Sequence, residues 1–213
     1  MSTIERPDDH RTLPASTRLS LKTRWLIWKT RFSTPARLAR GDEDKVVSKV
    51  TALNGGLAIL ALGLFAWLTD LPLIFPALGP STFILFNTPL SKAGAPRSVV
   101  LGHLTAMLSG YAVWRSIGYL VGASVSLQAG GWPLVVSASA ALGVTCLLLV
   151  RFSCPHPPAC ASALVVALGA VTNWLELLLM AVAVVLLAAQ AVVLNRLAGV
   201  PVPPWSPRRL DDQ

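Results

Sequence analysis

Cys154-Pro155-His156-Pro157-Pro158-Ala159-Cys160 is the stretch on which the reading of this chain turns. Its prolines cannot sit in a helix interior, since each removes a backbone N–H and crowds the preceding turn. Yet the stretch lies within an apolar segment, residues 152–168. A second break, Ala77-Leu78-Gly79-Pro80-Ser81-Thr82, lies within residues 71–87, which also carry Pro72 and Pro76. The two breaks can be overlaid with Pro80 on Pro158.

Around them, residues 50–195 hold only six charged side chains: Asp70, Lys92, Arg97, Arg115, Arg151 and Glu176. The whole chain is 54% apolar and 13% charged, against roughly a quarter charged in a soluble domain. Soluble globular folds and intrinsic disorder are both excluded for this region. The chain reads as an all-α integral membrane protein. Its net charge of +8 does not point to nucleic acid, because the basic residues flank apolar runs. Membrane lipids are the expected surroundings.

A crossing helix needs about 20 apolar residues. The candidates are residues 51–69, 71–87, 98–114 (with an extension past Arg115), 132–150, 152–168 and 174–195. If the two broken segments cross, 17 basic residues lie on one side and only Arg115 on the other. Trp67, Trp114, Trp132 and Trp174 then form one outer aromatic belt. If the broken segments re-enter instead, both patterns scatter. The positive-inside rule selects six crossings with both termini cytoplasmic, as expected in a bacterial inner (plasma) membrane. Residues 1–48 form a basic cytoplasmic region. Within it Trp25, Trp28 and Phe32 suit either an interfacial helix or a disordered tail. Residues 49–196 form the membrane domain, and 197–213 a cytoplasmic tail.

The six segments divide into two sets of three, residues 49–122 and 131–196. Each set has a plain helix, a proline-broken segment and another plain helix. Three crossings per set make the halves inverted repeats, and matched broken helices in such repeats point to a transporter's binding site. Pro80 and Pro158 suit the first turn of a helix. Each can therefore open a half-helix whose free N–H groups, near Ser81 and Thr82 and near Ala159 and Cys160, face the membrane interior. A small anion or a wet cavity would satisfy such donors. Simple kinks satisfied by neighbouring helices are the alternative.

At these residues the chain resembles the HPP family of integral membrane proteins, through His156-Pro157-Pro158, Pro76-Ala77-Leu78-Gly79-Pro80-Ser81, Pro96-Arg97 and Gly102-His103. The resemblance covers roughly residues 49 to 196. Many members have Gly-Ala-Ser where this chain has Gly79-Pro80-Ser81, and some carry soluble CBS domains that are not found here. The resemblance implies nitrite transport, the function attached to certain plastid and cyanobacterial members. It also implies that His156 contacts the anion or carries a proton.

The candidate substrate-binding set is therefore His156, Pro157, Pro158, Ala159, Cys160, Gly79, Pro80, Ser81, Thr82 and His103. An intramembrane ionisable residue is a functional candidate by default, although His156 and His103 could each also be a packed, hydrogen-bonded histidine. Gly102, Ala106 and Gly110 form a four-residue stripe suited to close helix contact. Asn54-Gly55-Gly56 and Gln190 are small or polar enough to line a path, with packing the favoured reading. Cys146, Cys154 and Cys160 read as small buried residues, and neither a metal nor a cofactor is expected. No carboxylate pair or activated nucleophile points to an enzyme. A small-anion transporter or channel is the leading expectation. Its rivals are a non-transporting scaffold or sensor and a membrane enzyme using His156; a homo-oligomer is compatible with each. Moving a monovalent anion inward costs about 2.3 kcal/mol per 100 mV of inside-negative potential. Concentrative import then needs a co-transported cation, and a proton is the simplest.

Overall fold

The computed structural model describes residues 43–206. The proposed interfacial helix around Trp25, Trp28 and Phe32 lies outside the described residues. Six helices follow one another: α1 (Glu43–Thr69), α2 (Leu78–Asn87), α3 (Pro96–Val121), α4 (Trp132–Arg151), α5 (Ala159–Ala167) and α6 (Trp174–Leu197). No strand occurs among the described residues. Three helices are long and apolar enough to cross a membrane: α1, α4 and α6. Leucine, valine and tryptophan side chains such as Leu53, Trp67, Leu147 and Trp174 stand exposed on their outer faces. For an integral membrane protein that is the lipid-facing surface.

α3 has 26 residues, enough to cross, but is less apolar because it is the central helix. Its buried face carries Ser98, His103 and Ser109, which lipid never sees. It continues past Arg115 and stops at Gly122 in the left-handed conformation (φ 62°). There Ala123 N–H reaches back to Gly118 O at 3.3 Å, a glycine-terminated helix end. α6 stops in the same way, with Gly199 at φ 85° and Val200 N–H on Asn195 O at 2.9 Å. α1 and α4 share a different stop. Asp70 (φ 54°) and Ser153 (φ 51°) are left-handed without being glycine. Leu71 N–H bonds Ala66 O at 3.1 Å and Cys154 N–H bonds Leu149 O at 3.0 Å. The first helices of the two halves thus end alike, and so do the third.

Several boundaries differ from the sequence reading, among them those of α1 and α2. α1 begins at Glu43 rather than at residue 51, because the helix continues into the polar flank. α2 begins at Leu78, ahead of Pro80. Pro80 occupies the first turn, where its missing N–H has no helical partner to lose.

The half-helices correspond in a register that proline matching misses. Leu78 N–H bonds Phe75 O at 3.1 Å and Gly79 N–H bonds Pro76 O at 3.3 Å. In the other half, Ala159 N–H bonds His156 O and Cys160 N–H bonds Pro157 O, both at 3.0 Å. Equivalent turns place Phe75 on His156, Pro76 on Pro157 and Ser81 on Ser162. The overlay of Pro80 on Pro158 is therefore corrected.

Packing does not follow the sequence halves. α3 packs chiefly on α4 and α5, whereas α6 packs on α1 and α2 and makes its largest single interface with α3. The tightest seam is α3 against α5. A Cβ added at Gly110 would lie 2.6 Å from Ala163 O, and one at Gly102 would lie 3.1 Å from His156 Cβ. With Ala106 fully buried between them, the small-residue stripe is the surface that lets these two backbones approach.

Contacts also sort the helix ends. Asn195 Nδ2 donates to Leu85 O at 2.9 Å, bringing the C-terminal ends of α6 and α2 together. Arg97 N–H bonds Trp205 O at 3.0 Å, and the Arg97 guanidinium donates to Ser153 O and Phe152 O at 3.2 and 3.4 Å. The start of α3 and the ends of α2, α4 and α6 therefore share one end of the bundle. Lys92, Arg97, Arg151 and Arg196 gather there. At the other end the Trp114 indole donates to Val125 O at 2.7 Å, beside Gly169 at the end of α5. Trp114 is thus tied to the loop after α3.

Candidate functional site

Where the half-helices begin, four polar side chains meet: Ser81 of α2, His103 of α3, His156 of the second break and Ser162 of α5. All four are completely buried (0% exposed). Ser81 Oγ lies 2.8 Å from His103 Nε2 and 3.0 Å from His156 Nε2. It also lies 2.8 Å from Ala77 O, a carbonyl of its own first turn. His103 Nδ1 lies 2.7 Å from Ser162 Oγ. His156 Nδ1 lies 2.8 Å from Ala93 O in the loop before α3. The rings of His103 and His156 are 5.1 Å apart, and Phe75 meets His103 edge-on at 6.3 Å.

Local sequence explains each placement. His103 falls two turns into α3, at about 10 Å from its start given a rise of about 1.5 Å per residue. The adjacent Gly102 leaves the space that His156 Cβ fills. The prolines keep residues 155–158 out of helical form, so the His156 ring turns back toward the Ala93 loop instead of following the α5 axis. Ser81 and Ser162 occupy equivalent positions in their half-helices and address opposite nitrogens of one imidazole.

Six of the ten sequence candidates are buried here: Ser81, Thr82, His103, His156, Pro158 and Ala159. Only Ser81, His103 and His156 join the cluster. Thr82 hydroxyl bonds Leu78 O at 2.7 Å and packs its methyl toward Gly55. Gly79, Pro80 and Pro157 are exposed, and Cys160 is half-buried, its Sγ 3.9 Å from that of Cys146 on α4. The idea of free N–H groups at the half-helix starts is corrected. Ser81 N–H bonds Ala77 O at 3.3 Å, and Ala159, Cys160 and Ala161 N–H groups bond the carbonyls three residues back at 3.0 Å. These donors are taken up within a tight first turn.

The sequence reading missed Ser162 and the Ala93 carbonyl. A serine in an apolar helix is ordinary, and only the register that equates it with Ser81 would have singled it out. Among the described residues no group of three or more His, Cys, Asp or Glu side chains is placed to hold a metal.

The family model for "HPP, transmembrane region" matches residues 43–203 of the chain. No curated protein matches it, and no solved structure does.

Proposed function

The chain belongs to the HPP transmembrane-region family, and from that premise we propose that it moves a small monovalent anion, with nitrite the first candidate, across the membrane. The observation that carries this reading is the Ser81–His103–His156–Ser162 cluster. Four polar side chains at 0% exposure are a costly feature inside an apolar domain, and such residues mark transport paths.

The proposed topology is six crossings in two inverted halves, with the Lys92, Arg97, Arg151 and Arg196 end in the cytoplasm. The Arg97–Trp205 bond supports it, since re-entrant breaks would put the start of α3 opposite the end of α6. Matching helix stops and the shared half-helix register support the repeat. α2 and α5, at 10 and 9 residues, reach only about 15 Å each. Each completes a crossing through its extended approach.

The moving units in this reading are α1–α2–α6 and α3–α4–α5. Of the four cluster residues, only Ser81 belongs to the first unit. Rocking one unit against the other would part the two Ser81 contacts and open the break, as alternating access requires. In this reading the anion enters the break once the Ser81 contacts part.

A second reading has its own observation: every member of the cluster has a partner, as in a structural clasp of a non-transporting scaffold or sensor. Nitrite uptake into liposomes containing the purified full chain separates the two. Uptake above protein-free vesicles, lowered at least about tenfold by Ser81→Ala at equal incorporation, is the transport outcome. Uptake equal to empty vesicles, extended over nitrate and formate, removes it.

A further inference from the structure

We propose that the buried Ser–His cluster is the binding site of a single proton shared by the two histidines, a step that rests on the transport reading above for its role as co-substrate. A count of hydrogens carries it. Five contacts lie within hydrogen-bond distance: Ser81 to Ala77 O, Ser81 to His103, Ser81 to His156, His103 to Ser162, and His156 to Ala93 O. Each needs one hydrogen between its heavy atoms. Two hydroxyls and two neutral imidazoles supply four. One more proton fills all five.

Ala77 O and Ala93 O can only accept, so in the neutral cluster the Ser81 hydroxyl donates to Ala77 O and His156 carries its hydrogen on Nδ1. Ser81 Oγ then accepts from His103 Nε2–H, and His103 Nδ1 accepts from Ser162. The contact left without a hydrogen is Ser81 to the bare Nε2 of His156, 3.0 Å apart. When a proton arrives, it fills that contact, and the pair becomes one imidazole and one imidazolium. Both Nε2–H groups then donate to the two lone pairs of Ser81, and no heavy atom has to move. The bound proton thereby acts on Ser81, the one cluster residue contributed by the α1–α2–α6 group.

No other charge supports or opposes this proton locally. The remaining charged side chains described on α1, α3, α4 and α6 and their loops are not buried. Arg97 turns its guanidinium to Phe152 O and Ser153 O. Among the described residues the one other buried titratable side chain is Cys154, packed among Ala106, Leu149, Ala159 and Ala163.

The test uses the full chain with His10→Gln, so that only the two buried rings report. Nitrogen NMR of the histidines in lipid nanodiscs is combined with nitrite uptake into liposomes holding an internal pH dye. At high pH, His103 is expected to carry hydrogen on Nε2 and His156 on Nδ1. Lowering the pH should add one proton that changes both rings together. In Ser81→Ala the rings should titrate separately, with midpoints displaced by about one pH unit, a tenfold change in proton affinity. Ser81→Thr, which keeps the hydroxyl, should restore shared behaviour and serves as the folding control. The same tautomer on both rings, or independent titration in the unsubstituted cluster, overturns the proposal. Shared titration with no nitrite uptake upholds the proton site and removes the transport reading. Nitrite uptake with independently titrating rings does the reverse. One proton entering per nitrite, with that ratio lost in Ser81→Ala, upholds both.

Discussion

Ser81 carries more of this protein's logic than its size suggests. It is the only cluster residue contributed by α1, α2 and α6, and it touches both histidines. Ser81→Ala removes an oxygen without leaving a large void, so thermal unfolding in detergent should change by about 1 kcal/mol. Nitrite uptake should nonetheless fall at least about tenfold, equivalent to about 1.4 kcal/mol in barrier height. A variant with intact uptake would reduce the cluster to packing. The glycines of α3 make a separate residue-scale case. Gly110→Ala drives a methyl to 2.6 Å from a backbone oxygen, whereas Gly102→Ala meets only the Cβ of His156 at 3.1 Å. The first should cost about 1–3 kcal/mol in unfolding measurements, and the second less. The reverse order would mean that the α3–α5 seam is not the tight one.

At the scale of elements, both half-helices and the small-residue stripe are legible in the sequence, because prolines and glycines impose backbone rules that no partner overrides. The His103–His156 meeting is not legible. It depends on α3 and the second break approaching across 53 positions of chain, and no local pattern encodes such an approach. The proline overlay misleads for a physical reason. Pro80 lies inside the first turn and Pro158 just before it, since proline tolerates either place. The break itself can be tested. Pro157→Leu with Pro158→Leu lets helix run through residues 155–158 and pulls the His156 ring off Ala93 O. Membrane insertion should persist while uptake is lost, as measured at equal protein in the bilayer. Cys146 and Cys160 offer a complementary check, since mild oxidation should join their sulfurs, now 3.9 Å apart. Both lie in the α3–α4–α5 unit, so the cross-link should leave uptake largely intact. Strong inhibition would mean that α5 moves against α4 during transport.

For the whole molecule, the gathering of Lys92, Arg97, Arg151 and Arg196 at one end makes the orientation testable. Cysteines introduced near Lys92, in a background lacking Cys146, Cys154 and Cys160, should resist an impermeant thiol reagent added outside intact cells. One introduced near Gln128 should react. Equal labelling at both positions would dismiss six crossings. Charge bias and apolar length are what propose that topology from the sequence. The regrouping of α3 with α4 and α5, and of α6 with α1 and α2, is invisible there, because it is decided by which lipid-excluded faces fit each other.

The shared register has a historical consequence. Ser81 and Ser162 stand in the same place in their half-helices, and Phe75 stands where His156 does. Equal placement is what duplication of a three-helix ancestor would leave behind, and Phe75 against His156 is then one of the places where such copies would have diverged. A molecule of two identical copies would have no preferred sense of travel. In the proposed transporter, His156, which has Phe75 as its counterpart and faces the Ala93 loop at the basic end, would make the two faces of the barrier chemically unequal. Exchanging the pair, Phe75→His with His156→Phe, would set that inequality facing the opposite way.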